Sequence, residues 1–236
     1  MTAKDRLIVA LDCDSEAKAL EIFAKLKNDI RFFKIGLELF SYCGPRIAEK
    51  IMDAGAEVFL DLKFHDIPNT VLKTAVAATR LGVYMFNVHA LGGYDMMKSA
   101  FEAAATEADT QNIRRPKVLA VTILTSMDEF ALKKIGVNAN IKKEVLILAA
   151  MAKEAGLDGV VASPHEAKTI REAMGEDFLI VTPGVRPGGA KANDQKRIAT
   201  PLEAVKNGAS FIVVGRPITD AQDPAGAARQ ILSEIV

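Results

Sequence analysis

The chain has 236 residues, and its 30 Lys and Arg residues balance 30 Asp and Glu residues. A net charge of +0 gives no general attraction to nucleic acid or to an anionic membrane surface, so neither is expected as a partner. With 50% hydrophobic and 25% charged residues, the composition excludes a disordered chain. No apolar run approaches the roughly 18 residues of a membrane helix, and the run before Asp12 is too short for a signal peptide. We therefore expect a soluble, cytoplasmic protein.

Cysteine usage points to the same setting. The two cysteines, Cys13 and Cys43, do not form a CxxC pair. This spacing argues against a disulfide scaffold and against a cysteine-rich zinc module.

Eight short apolar runs predict eight β-strands. Most are apolar at consecutive positions rather than at alternate ones, which is typical of parallel strands that are covered on both faces. The runs span residues 7–11, 32–36, 58–62, 85–89, 118–124, 159–162, 178–182 and 211–215.

The stretches between these runs have helical spacing. Asp14 or Ser15 can cap the first helix, and Pro68 opens another that ends near Gly82. Further helices are predicted over residues 96–108, 143–155, 165–174, 201–207 and 224–235. The polar segment 106–117 is predicted to be a solvated connection. The Gly- and Pro-rich segment 183–201 follows the seventh strand, and a long loop at that place is typical of a functional lid.

Strands that alternate with helices predict a parallel sheet. Eight units in 236 residues give about 30 residues each, close to the size of a (β/α)8 TIM barrel. The absence of a GxGxxG motif after the first strand also favours the barrel. We expect one barrel domain over residues 1–236. An open, doubly wound sheet is the alternative, and periodicity alone does not separate the two.

Charged residues collect at the ends of the first three predicted strands, where barrel active sites lie. Asp12 ends the first, Lys34 lies in the second, and Asp61, Lys63 and Asp66 follow one another at the third. Because side chains alternate along a strand, Asp61 and Lys63 are expected on one face. A structural salt-bridge network is the alternative, but burying such a set is costly unless the charges pair well. The cluster therefore favours a catalytic site.

Residues after the last two strands predict an anion site. Gly215 lets a ligand approach the backbone, and Arg216 offers a planar fork for phosphate oxygens. The preceding loop adds Arg186 and Gln195. The hydroxyl of Thr125, at the end of the fifth strand, can either cap the next helix or bind a polar ligand edge.

Three histidines leave other readings open. His65, His89 and His165, with the carboxylates, could hold a divalent metal in a sugar-phosphate epimerase or aldol-type lyase. Lys63 would then compete with the metal, so we expect structural roles for the histidines. Lys34 or Lys63 could instead form a Schiff base in an aldolase. A barrel that binds a phosphoribosyl ligand without turnover is the non-enzyme alternative.

The run DLKFHDIPNT at residues 61–70 resembles the DxKxxDIPxT signature of the orotidine 5′-phosphate decarboxylase family. The resemblance extends along the chain, and its further motifs lie at residues 9–12, 33–36, 87–89, 122–126, 182–186, 193–195 and 214–216. It implies a phosphate-binding barrel of the ribulose-phosphate-binding type that converts orotidine 5′-monophosphate to UMP and CO2. This carboxy-lyase reaction ends de novo pyrimidine nucleotide synthesis, and the family uses no metal or organic cofactor.

The resemblance also assigns roles at the reacting end of the substrate. Lys63 is implied as the proton donor, within an array of charges that includes Lys34, Asp61 and Asp66. The family's homodimer implies that Asp66, together with Ile67 and Thr70, reaches into the neighbouring subunit's site.

The remaining implied roles concern substrate binding. Asp12 and Lys34 are expected to hold the ribose hydroxyls, and Thr125 to contact the pyrimidine edge. The other implied substrate-binding residues, most of them around the phosphate, are Pro183, Arg186, Gln195, Gly215 and Arg216.

Overall fold

A computed structural model describes residues 2–138, 140–187 and 199–235. In this part of the chain, eight parallel strands pair in sequence order and close into a barrel, because β1 also pairs with β8. The predicted (β/α)8 barrel is therefore confirmed, and the open sheet is wrong. The strands are β1 (Leu7–Ala10), β2 (Phe32–Gly36), β3 (Glu57–Phe64), β4 (Met85–His89), β5 (Lys117–Val121), β6 (Gly159–Val161), β7 (Leu179–Thr182) and β8 (Phe211–Val214).

Within the described residues, eleven α-helices surround the barrel. They are α1 (Glu16–Leu26), α2 (Leu37–Cys43), α3 (Arg46–Asp53), α4 (Pro68–Arg80), α5 (Tyr94–Gln111), α6 (Glu129–Lys134), α7 (Ile141–Glu154), α8 (Pro164–Met174), α9 (Pro201–Lys206), α10 (Arg216–Thr219) and α11 (Pro224–Glu234). None of those helices is long and apolar enough to cross a membrane. The sequence did not predict α2, α3, α6 or α10.

The prediction of a solvated connection over residues 106–117 is wrong at both ends, and only residues 112–116 connect the helix to the strand. Helix α5 continues to Gln111, and Lys117 is the first residue of β5. Two side chains in the helical part of this segment are buried: Ala108 packs into the core, and Glu107 binds Arg80 of α4 with 2.6 Å between the Arg80 Nε and a carboxylate oxygen. This tertiary contact stabilises a helical turn that its polar sequence does not indicate.

Alternation along the strands divides their side chains between two apolar clusters. The smaller cluster takes alternate residues from all eight strands and fills the barrel interior: Ile8, Ala10, Phe32, Phe59, Met85, Leu119, Val121, Val161, Val181, Phe211 and Val213. The larger cluster lies between strands and helices. By the same alternation, Asp12, Lys34 and Asp61 continue the interior series beyond its last apolar layer.

Aromatic rings close the end of the barrel where the strands begin. The ring centroid of Phe32 lies 4.9 Å from that of Tyr84 and 5.5 Å from that of Phe211. Arg114 covers Tyr84 and binds both carboxylate oxygens of Glu57 at 2.8 and 2.7 Å. Since this end is plugged, the space for a ligand lies at the opposite end.

Candidate active site

A cavity of about 630 Å³ opens at the carboxyl ends of the strands. This volume is in the range of small-molecule sites. Its floor is the last apolar layer of the barrel, which includes Phe59, Val121 and Val213. Nine of the residues predicted for the site line it: Asp12, Lys34, Asp61, Lys63, Thr125, Pro183, Arg186, Gly215 and Arg216.

Four of these residues form a continuous row of alternating charges, which we call the charged array (Asp12, Lys34, Asp61 and Lys63). The Nζ atom of Lys34 lies 2.8 Å from Asp12 Oδ1 and 3.4 Å from Asp61 Oδ2. The Nζ atom of Lys63 lies 2.7 Å from Asp61 Oδ1. The two inner side chains are only 10% and 13% exposed, whereas those of Lys63 and Asp12 are 30% and 52% exposed. The array is neutral overall, and its ends face the cavity.

The charges of the array set the ionisation of its inner members. Burial alone would lower the pKa of Lys34, but the carboxylates of Asp61 and Asp12 outweigh it and raise that pKa. Burial alone would raise the pKa of Asp61, but Lys34, Lys63 and the hydrogen bonds to its carboxylate outweigh it and lower that pKa. Both groups are therefore charged at neutral pH.

Gly36 gives the array the space it needs. A Cβ atom at this position would lie 2.8 Å from Lys34 Nζ and 2.9 Å from Asp12 Oδ1. Any side chain here would displace one of the two charges. Glycine at the end of β2 therefore leaves room for this ion pair in its observed geometry.

The end of β3 is not a regular strand. Leu60 and Phe64 are four positions apart in β3, whereas their partners Phe86 and Val88 in β4 are only two apart. Within this irregular stretch Lys63 has a φ of 52°, in the left-handed region. Asp61 and Lys63 do meet, as predicted, but simple alternation along a strand is not what brings them together.

Two guanidinium groups lie at the other side of the cavity. Arg186 is buried, and its pKa is lowered by that burial and by the positive charge of Arg216. A Cβ atom at Gly215 would find only ordinary contacts, the nearest at 3.5 Å from Ala10 Cβ. Packing therefore does not require glycine at position 215. The missing side chain leaves the backbone beside Arg216 accessible from the cavity. Two neighbouring cations in a partly enclosed space are suited to a dianionic group.

Comparison with known proteins shows the family of this chain. The model of the Orotidine 5′-phosphate decarboxylase / HUMPS family matches residues 5–231. This chain belongs to the orotidine 5′-phosphate decarboxylase family. The enzyme of that name from Geobacter sulfurreducens is 53% identical over 235 residues, which cover 99% of this chain and 97% of the relative. That from Syntrophotalea carbinolica is 54% identical over 233 residues, covering 99% and 96%.

A solved structure of the family has the same fold. The crystal structure of orotidine 5′-phosphate decarboxylase from Lactobacillus acidophilus superimposes with a TM-score of 0.87 at 44% identity. The match covers 98% of this chain and 99% of that one.

Of the four remaining predicted site residues, three are described, and none of the three lines the cavity. Asp66, Ile67 and Thr70 are exposed and do not line it, and the carboxylate of Asp66 accepts the N–H of Ile67 at 2.7 Å. The side chain of Ile67 is 66% exposed. The fourth residue, Gln195, lies outside the described residues.

Among the described residues, the histidines do not form a group with Cys, Asp or Glu that could hold a metal ion. His65 stacks on His89, with 5.3 Å between ring centroids and 19° between planes. Burial, His65 and Lys63 lower the pKa of His89 to about 4. Its Nδ1 accepts the N–H of Leu91 at 3.3 Å. His89 is therefore neutral at physiological pH, with its Nδ1 engaged as an acceptor.

One residue at the site had no predicted role. Asn87 is fully buried, lies next to Asp61 and Lys63, and hydrogen-bonds both. Alternation along β4 could have identified Asn87 as a site residue, because it lies two residues after Met85 on the face that points into the barrel. A buried amide on that face, one layer above the apolar floor, marks a polar site.

Proposed function

We propose that this chain decarboxylates orotidine 5′-monophosphate to UMP and CO2, the reaction for which its family is named. The observation that carries the proposal is the charged array, which presents the Lys63 ammonium to a cavity of nucleotide size. Hydrophobic residues would serve stability as well at such strand ends, so an array of buried charges has a catalytic purpose.

The reaction needs a fixed positive charge. When the bond between C6 and the carboxylate breaks, CO2 leaves and the electron pair stays on C6, where the ring has no electron sink in line with it. Coenzymes such as pyridoxal phosphate supply a sink elsewhere. Here the Lys63 ammonium stabilises the developing carbanion and then gives C6 its proton, so that UMP forms. Solvent returns a proton to the lysine.

Asp61 has two effects on this step. Its carboxylate holds the Lys63 ammonium at 2.7 Å and thereby aims the cation. It also lies close to where the substrate carboxylate would depart, so it disfavours the ground state. We rank the attraction of the carbanion by Lys63 above this repulsion, because only an interaction that strengthens in the transition state raises the rate.

The phosphate end supplies binding energy far from C6. Arg186 and Arg216 are the proposed phosphate ligands, with Pro183, Gln195 and the backbone at Gly215 beside them. Asp12 and Lys34 hold the ribose hydroxyls, and Thr125 meets the pyrimidine edge. Energy from the phosphate contacts can be used to order the array around the reacting carbon.

The active form is a homodimer in which Asp66, Ile67 and Thr70 of one subunit complete the site of the other. The support is their position: they follow β3 directly, they are exposed, and they lie outside the cavity of their own subunit. The chain itself acts as one barrel domain over residues 1–236.

An ultraviolet assay of orotidine 5′-monophosphate consumption, run with EDTA present, tests the function. We expect UMP to appear as the substrate disappears, at the same rate with and without the chelator. Loss of activity with EDTA and its return with Mg²⁺ or Zn²⁺ would favour the metal-dependent lyase. Thermal stabilisation by UMP without any turnover would indicate a binding protein instead.

A further inference from the structure

We infer that Asn87 is a positioning residue for the reaction: its one amide group holds the backbone of Lys63 and the carboxylate of Asp61 together. The inference rests on the function proposed above. Asn87 does not line the cavity, so it acts through its two neighbours rather than on the substrate.

The two hydrogen bonds use both ends of the amide. The Oδ1 atom accepts the backbone N–H of Lys63 at 2.8 Å, and the Nδ2 group donates to Asp61 Oδ1 at 2.7 Å. Asn87 is fully buried. An uncharged side chain with a donor and an acceptor a few ångströms apart suits this place, because a buried carboxylate or ammonium would change the charge of the array.

The hydrogen bond to Lys63 supports an uncommon backbone. With a φ of 52°, Lys63 adopts the left-handed conformation, which residues other than Gly, Asn and Asp rarely take. Lys63 also lies in the stretch between the paired residues Leu60 and Phe64, where β3 has two more residues than β4 has between their partners. The bulge removes the backbone N–H of Lys63 from the regular hydrogen bonds between the strands, and the side chain of Asn87 accepts that N–H instead.

The hydrogen bond to Asp61 fixes the carboxylate from a second direction. Asp61 Oδ1 accepts from Lys63 Nζ and from Asn87 Nδ2, each at 2.7 Å, while Oδ2 faces Lys34. Without the amide, the carboxylate can rotate and the Lys63 backbone can relax toward a common conformation. Either change moves the ammonium, and a displacement of about 1 Å at a reacting centre costs roughly 10²-fold in rate.

Two substitutions and one control separate positioning from general stability. Asn87→Ala removes both hydrogen bonds. Asn87→Asp keeps the size and the acceptor but, when ionised, cannot donate and repels Asp61. Ser210→Ala is the control, because Ser210 is a buried side chain that likewise accepts a strand amide, that of Ile180 at 3.1 Å, at the far end of the barrel.

For Asn87→Ala, we expect kcat to fall about 10²-fold while the dissociation constant of UMP stays within about threefold. Hydrogen exchange of the Lys63 amide should become at least about tenfold faster. Ser210→Ala should leave kcat and Lys63 exchange within about threefold. A kcat within threefold of the wild-type value for Asn87→Ala, or unchanged exchange at Lys63, would overturn the inference.

The pH dependence of kcat in the Asn87→Asp variant distinguishes a positioning role from a merely structural one. Burial and the charge of Asp61 raise the pKa of the introduced carboxyl, and its protonated form can donate as the amide does. Its kcat relative to wild type should therefore rise as pH falls from about 8 to about 5. A kcat ratio that does not change with pH would refute positioning, even if Asn87→Ala does not fold.

If the wild type itself does not consume the substrate, the proposed function fails. Hydrogen exchange of the Lys63 amide still tests whether the Asn87 side chain protects that amide.

Discussion

The ammonium of Lys63 lies 2.7 Å from the carboxylate of Asp61, although only one residue separates them in β3. The pair exists because the strand is irregular there and Lys63 takes a left-handed backbone conformation. Lys34 lies on the other side of Asp61, and its positive charge balances the carboxylate of Asp12. The array is therefore neutral before substrate arrives. A bound substrate carboxylate next to Asp61 would add one negative charge. Loss of CO2 leaves that charge on C6 beside Lys63, and the array is neutral again only after C6 has taken the proton of Lys63 and solvent has reprotonated the lysine.

Removing the cation should abolish the chemistry and spare binding. We expect Lys63→Ala to lower kcat by at least about 10⁴-fold, because it removes both a proton donor and a fixed charge. UMP should still bind, as the phosphate and ribose contacts remain, and calorimetry can measure this. Lys98→Ala is the matched control, since Lys98 is an exposed lysine on α5. Turnover by Lys63→Ala within tenfold of wild type would refute the proton-donor role.

A shared site predicts complementation between inactive variants. Lys63→Ala and Asp66→Asn proteins, mixed under conditions of subunit exchange, should regain about a quarter of wild-type activity, because half of the dimers are hybrids with one intact site. Mixing Lys63→Ala with Asp61→Asn is the control and should recover nothing, since both residues come from the same subunit. No recovery in the first mixture, with exchange verified by mass spectrometry, would argue against the contribution of Asp66 across the interface.

Arg216 should recognise the phosphate specifically. Arg216→Ala is expected to lower kcat/KM for orotidine 5′-monophosphate by about 10²-fold, the size of a lost charge-assisted hydrogen bond. Turnover of the phosphate-free nucleoside should change less than about threefold. Arg229→Ala, which removes an exposed arginine of α11 that pairs with Asp29, should change neither. Equal losses for nucleotide and nucleoside would show that Arg216 does not bind phosphate.

His89 predicts a stability that depends on pH. Its pKa is about 4 in the folded protein, below the ordinary value of 6.5, so the unfolded state binds more protons between these values. The stabilisation is present above pH 6.5 and is lost as pH falls toward 4. Because the ring is partly solvated, we expect about 1 to 2 kcal/mol.

Urea unfolding at several pH values measures that dependence. His89→Asn keeps an acceptor for the N–H of Leu91 but does not titrate in this range. Between pH 6.5 and pH 4 the wild type should therefore lose more stability than His89→Asn. Parallel losses in the two proteins would contradict the assignment.

The sequence predicts the barrel well because buried strands and long amphipathic helices leave strong patterns. Eight apolar runs correspond to the eight strands, with ends that differ by up to three residues. The helices it missed, such as α2 and α6, have seven and six residues, too few for a period of 3.6 to emerge. The predicted end of α5 at residue 108 falls three residues short of Gln111, because the last residues of the helix are polar and carry no apolar period.

The candidate site divides in the same way. Positions at the strand ends, such as Asp12 and Gly215, follow from the fold, since every strand of a barrel ends at the same rim. The bulge at Lys63 leaves no local signal, because lysine is not a residue that marks a left-handed turn. Its cause lies in β4, where Asn87 accepts the Lys63 amide. A contact between residues 24 positions apart cannot be read from either segment alone.

A crystal structure of the wild-type protein with bound UMP tests the central claim most directly, because it measures the distance from Lys63 Nζ to C6 of the pyrimidine. We predict about 3 to 4 Å, within reach of proton transfer. The phosphate should lie between Arg186 and Arg216 in the same complex. A separation beyond about 6 Å, in a site with the nucleotide fully ordered, would contradict the role of Lys63 as the group that stabilises and protonates the carbanion.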